Sequence, residues 1–140
     1  MRHVPKALVL FSACVSILSC GRPTNDTLLK THLGSLDPSK TDRLEIDFAR
    51  INSSKDSTTW FYIEASAPTI SDVLRSEGFT PGVASEDRLL TRIAISAKMP
   101  KPPNKDDCIF YNSSPKTRSV LYNAITTIAK DRVWIVAQRY

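Results

Sequence analysis

The sequence predicts an α+β fold, a small antiparallel sheet with one or two helices packed on one face. Three observations lead there. Arg43 to Ile51 and Thr58 to Ala65 are two strand-like runs joined by a polar loop, Val120 to Ala137 holds a second pair, and Pro68 to Phe79 carries the signals of a short capped helix.

Taken in order, residues 21–42 have tether composition, with Pro23, Asn25, Gly34 and Asp37-Pro38 among several Ser and Thr. Leu28, Leu29, Leu33 and Leu36 interrupt it at a spacing that predicts a short helix ending near Gly34, packed on the domain or lying on a membrane. From Arg43 the pattern has a period of two: Leu44, Ile46 and Phe48 alternate with Glu45 and Asp47. Asn52 to Ser57 is polar, and Trp60, Phe61, Tyr62 and Ile63 follow in the next run, so the two segments read as an antiparallel hairpin. In Pro68 to Phe79, Thr69 and Asp72 resemble a capping box, with Pro68 and Val73 as a staple. Ile70, Val73 and Leu74 share a face, and Gly78 suits the left-handed position that ends a helix, so that Phe79 folds back onto that face.

Thr80-Pro81-Gly82 is a turn. Ser85 to Ala97 fits both periods, and the acidic first turn Ser85-Glu86-Asp87 tips the reading towards a helix. Met99 to Asp107 holds three prolines and is expected to cross the surface without regular structure. Cys108 to Asn112 reads as a strand, Asn112 to Lys116 as a turn, and Val120 to Ile128 with Val133 to Ala137 as a terminal hairpin turning at Lys130-Asp131-Arg132.

The first twenty residues set an expected address. Arg2, His3 and Lys6 precede the apolar run Ala7 to Leu18, which has the layout of a secretory signal peptide. Its twelve residues are short of the about 20 needed to span a bilayer as a helix. The ending Ile17-Leu18-Ser19-Cys20 resembles the lipobox of bacterial lipoproteins, although that family usually has Ala or Ser where Leu18 stands. The resemblance implies cleavage before Cys20, acylation of that cysteine (palmitate among its chains) and a mature protein hanging from the membrane. A single acyl chain binds only marginally, but several hold almost permanently. Gly21 after the cysteine implies sorting to the outer membrane, facing the periplasm. The alternative is an ordinary signal peptide cut at another small residue. The expected organisation is therefore a signal peptide over 1–19, a lipidated N-terminus and tether over 20–42, and one small domain over 43–140.

Composition suits one globular core, with 41% hydrophobic and 24% charged residues. Without Arg2 and Lys6, seventeen Lys and Arg face fourteen Asp and Glu, a small excess spread along the chain. It mildly favours anionic neighbours, and no Lys/Arg cluster interleaved with aromatics suggests nucleic acid. With Cys14 in the signal and Cys20 acylated, Cys108 is left without a disulfide partner, and its apolar neighbours Ile109, Phe110 and Tyr111 suit a small buried hydrophobe.

Catalytic patterns are sparse. His32 is the one histidine after the signal and falls in the tether, so the sequence offers no His-based triad and no zinc cluster. Glu86-Asp87 and Asp106-Asp107 are adjacent pairs, whose members diverge. Asn104, Asp106 and Asp107 lack EF-hand spacing, and no glycine-rich phosphate loop is present. No cofactor and no metal is expected. Aromatic strand residues are expected in the core, with one exception open to test: if Phe61 and Ile63 point inward, Trp60 and Tyr62 point outward, and with Tyr111 and Trp134 they would make a binding face. The reading of function is a non-enzymatic, membrane-anchored domain that contacts an envelope protein or a cell-wall polymer. The alternative, an inhibitor or immunity lipoprotein against a cell-wall lytic enzyme or toxin, fits less well because a basic target favours an acidic inhibitor.

Overall fold

The computed structural model describes residues 21–50, 56–113 and 119–140; Cys14, Cys20 and the expected signal peptide lie outside them. Six antiparallel strands form one sheet in the order β1-β2-β6-β5-β4-β3. They are β1 (Thr41–Arg50), β2 (Ser57–Ala65), β3 (Phe79–Pro81), β4 (Cys108–Ser113), β5 (Val120–Thr127) and β6 (Arg132–Arg139). Among the described residues three α-helices accompany them: α1 (Asn25–His32), α2 (Ala67–Ser76) and α3 (Glu86–Ile95). The fold is α+β.

Both expected hairpins form. Ile46 pairs with Phe61 and Phe48 with Thr59 in the first, while Ala124 pairs with Ile135 in the second. Alternation then sorts the side chains into two faces. On the first face Ile46, Phe61, Ile135, Ala124 and Tyr111 lie along one row of paired residues, and α1 and α2 cover them. Helix α2 supplies Ile70, Val73 and Leu74, as its periodicity requires. Its N-cap is Ser66 rather than Thr69: the Ser66 hydroxyl accepts from the Thr69 amide at 3.3 Å, one turn earlier than the capping-box reading. Gly78 ends the helix region with φ +80°, where a side chain would be strained, and Phe79 is buried behind it.

Within the 20–42 segment expected as a tether, the short helix that the leucine spacing predicts forms and packs on the sheet. Leu28, Leu29, Leu33 and Leu36 are all buried in the first-face core. Thr24 caps α1 by accepting from the Thr27 amide at 3.2 Å. Beyond the helix, the Ser35 amide donates to the buried Glu77 carboxylate at 3.0 Å, and the Ser35 hydroxyl donates to the same oxygen. The loop after α1 is thereby tied to the end of α2. Four leucines at helical spacing need a surface to cover, and the sheet is the one available.

The second face carries the other layer. α3 starts at Ser85, whose hydroxyl accepts from the Arg88 amide, and buries Leu89 and Ile93. It crosses the sheet until Ser96 donates to Asp47 of β1 at 2.6 Å. The proline-rich segment then returns over the same face to β4, with the one-turn Lys105–Asp107 helix at its end. A third helix on the face opposite α1 and α2 thus completes a sheet covered on both sides.

Candidate functional site

The aromatic residues expected to make a binding face are core residues. Trp60, Tyr62 and Trp134 do share the face opposite Phe61 and Ile63, as alternation requires, but α3 and the proline-rich return lie over them. Trp134 is 0% exposed and Tyr62 1%. Tyr111 is buried too, on the first face. Each indole holds the cover by its one donor: Trp60 Nε1 donates to the Arg92 carbonyl at 2.9 Å, and Trp134 Nε1 to the Pro100 carbonyl at 2.8 Å. No aromatic platform faces solvent there.

Tyr62 ends in a polar rim. Its hydroxyl donates to Glu64 at 2.5 Å and the Arg43 guanidinium lies 5.2 Å from the centre of its ring. Burial, and then the Glu64 carboxylate, push the phenol up to about 12. Cys108 is half-buried, its thiol donating to the Pro103 carbonyl at 3.5 Å, and burial followed by the Asp107 charge raises its pKa. A thiol held protonated is a poor nucleophile.

An open cleft lies at the other end of the first face, between α1 and the ends of β1, β2 and β6, with a volume of about 700 Å³. The register builds its floor. Arg50 pairs with Ser57, and Ser57 pairs with Arg139, so three neighbouring strands place these side chains side by side on one face. Phe48, one step further in, lines the cleft with the Arg50 guanidinium 5.6 Å from its ring centre. α1 forms the opposite wall with Thr27, Leu28, Thr31 and His32, and Tyr140 closes one side. Among the described residues no Asp or Glu side chain lines this space. Among the described residues neither Arg50 nor Arg139 makes an ion pair.

No family model, curated protein or solved structure matches this chain. The chemistry of the cleft is therefore read from its own residues. His32 belongs to the folded body rather than to a tether: it is buried, 2.8 Å from the Tyr122 hydroxyl through Nδ1, and packs edge-on against Tyr122 and Phe61. Burial raises the pKa of Tyr122, and the Arg139 charge opposes that rise, so the guanidinium field reaches beneath the cleft floor. The arrangement offers two cations, several hydroxyls and an apolar wall. Two smaller hollows sit on the second face, one beside α3 with Arg88, Arg92 and Asn112, the other between α3 and the proline-rich return. Among the described residues no three His, Cys, Asp or Glu side chains gather, and no helix is long and apolar enough to cross a membrane.

Sequence reasoning missed Arg50, Ser57, Arg139 and His32 as a group. The strand ends were visible, but the order that brings β6 beside β2 was not.

Proposed function

We propose that this chain is a membrane-anchored bacterial lipoprotein, held through acylated Cys20 at the outer membrane and facing the periplasm, whose small domain is a non-enzymatic binding module for another envelope component. The observation that carries the binding part is the cleft between α1 and the sheet end, a space of small-molecule size with convergent polar groups and an apolar side. Binding is favoured over catalysis by the state of the reactive groups. His32 is buried with its Nδ1 engaged by the Tyr122 hydroxyl, and Cys108 sits on the opposite face with its thiol held protonated. The anchor rests on the Ile17-Leu18-Ser19-Cys20 ending.

Two measurements test the reading. The intact mass of protein extracted from membranes should correspond to a chain starting at Cys20 with acyl groups added, and Cys20→Ser should leave the protein unprocessed. Crosslinking in intact cells followed by purification should recover an envelope component with the wild-type chain above a control chain carrying the anchor alone. A soluble mature protein with Cys20 oxidised to Cys108 sinks the anchor, and an empty pull-down sinks the partner.

A further inference from the structure

We propose that the cleft between α1 and the sheet end is a phosphate-ester site in which Arg50 and Arg139 grip the phosphate over Ser57, while the organic part lies against Phe48 and Tyr140. The inference rests on the binding reading above and names the ligand class. Arg50, Ser57 and Arg139 occupy directly paired positions on three adjacent strands, so their side chains leave the sheet on the same side. Neighbouring strands are about 4.8 Å apart, which sets the two arginine backbones about 10 Å from each other, a span that two long side chains close around one bound group. Two like charges that reach into one space repel. Among the described residues no Asp or Glu side chain in the lining and no ion pair relieves that repulsion, so an anion bound between them gains from both.

The choice of phosphate over carboxylate follows from donor count. A guanidinium presents a planar fork, and one carboxylate is satisfied by one fork. Two forks arriving from opposite sides, with a hydroxyl between them, suit the several oxygens of a tetrahedral dianion. Thr31 on α1 adds a further hydroxyl on the facing wall. The rest of the space is too large for inorganic phosphate alone, at about 700 Å³, and its apolar lining of Leu28, Phe48 and Tyr140 selects an ester with a hydrophobic or aromatic body. A soluble phosphate monoester and a lipid phosphate headgroup share this chemistry.

The test uses the purified full chain in detergent and isothermal titration with phenyl phosphate, dihexanoyl phosphatidic acid, benzoate and benzyl alcohol. A phosphate ester should bind at least about tenfold tighter than benzoate or benzyl alcohol, and whichever of the two esters binds tighter names the source. Arg50→Gln and Arg139→Gln should each weaken that binding roughly tenfold to hundredfold, the worth of one charged hydrogen-bonded contact. Both side chains are exposed, so the variants keep the wild-type circular dichroism and melting curve. Arg88→Gln, in the hollow beside α3, should leave binding unchanged. Binding that survives both cleft substitutions, or is lost on Arg88→Gln, overturns the assignment, as does benzoate matching phenyl phosphate. If no phosphate ester binds while crosslinking still recovers an envelope partner, this inference fails and the binding-module reading stands.

Discussion

Replacing Trp134 with Phe tests how the second face is sealed. The ring is 0% exposed and packs 5.0 Å, centre to centre, from Tyr62. Phenylalanine keeps the aromatic character but has two fewer carbons, and at about 0.8 kcal/mol per buried methylene-sized group their loss costs about 2 kcal/mol. The change also removes the donor to the Pro100 carbonyl, a 2.8 Å bond, and an acceptor left without a partner under cover costs about 1 to 3 kcal/mol. The sum is about 3 to 5 kcal/mol, a large share of the about 5 to 15 kcal/mol that holds a typical domain. Urea unfolding followed by far-UV circular dichroism reads the loss. Amide exchange adds a positional check: α3 should open more readily in the variant than the paired centre of β5 and β6. A loss under about 1 kcal/mol, the range of surface substitutions, would refute the reasoning, because it would mean that the indole faces solvent and that nothing clamps the proline-rich return.

Three further outcomes follow from the packing. Leu33→Ala should destabilise the domain by about 2 to 5 kcal/mol in the same urea assay, because Leu33 is 1% exposed and anchors α1; a change within about 0.5 kcal/mol would return residues 25–36 to a tether. Tyr62 keeps its proton in the folded state up to about 12, whereas an unfolded tyrosine loses it near 10, so unfolding releases a proton in that window and stability falls as pH rises. Wild type should lose about 2 kcal/mol more than Tyr62→Phe between pH 10 and pH 12, and parallel pH profiles would remove the claim. Cys108, half-buried with a raised pKa, should react with a disulfide reagent at neutral pH more slowly than free cysteine and speed up in denaturant; prompt reaction in the folded state would place the thiol in the open.

Much of the sheet was legible because alternation is a local signal. Leu44, Ile46 and Phe48 against Glu45 and Asp47 define a face without knowledge of any partner strand, and the run Val133 to Ala137 does the same through β-branching. α3 was legible through Ser85, since its apolar residues fit either period and only the cap decided. The misreadings arose where a segment's role depends on something distant. Residues 20–42 have linker composition; the leucine spacing marked the helix inside them, but its choice between domain and membrane depended on the sheet beneath it. Trp60 and Tyr62 occupy the alternate face as expected, but whether that face is wet depends on α3, about thirty residues later in the chain. The cleft was least legible of all. Arg50 and Arg139 stand far apart in the sequence, in the first and last strands, and only two successive strand pairings bring them together over Ser57. A lone arginine at a strand end carries no such signal.

The position of β6 has a consequence for how the chain reaches this shape. The strand latest in sequence sits in the interior of the sheet, with β2 on one side and β5 on the other. Until residues 132–139 are available, the chain can assemble only a hairpin of β1 and β2 and a separate three-stranded piece of β3, β4 and β5, each with a raw hydrogen-bonding border. Insertion of the final strand is then the event that welds two half-sheets and completes the row on which Arg50 and Arg139 meet. A chain shortened by those eight residues would present two further sticky margins in place of one continuous sheet, the condition under which association with other copies outruns folding.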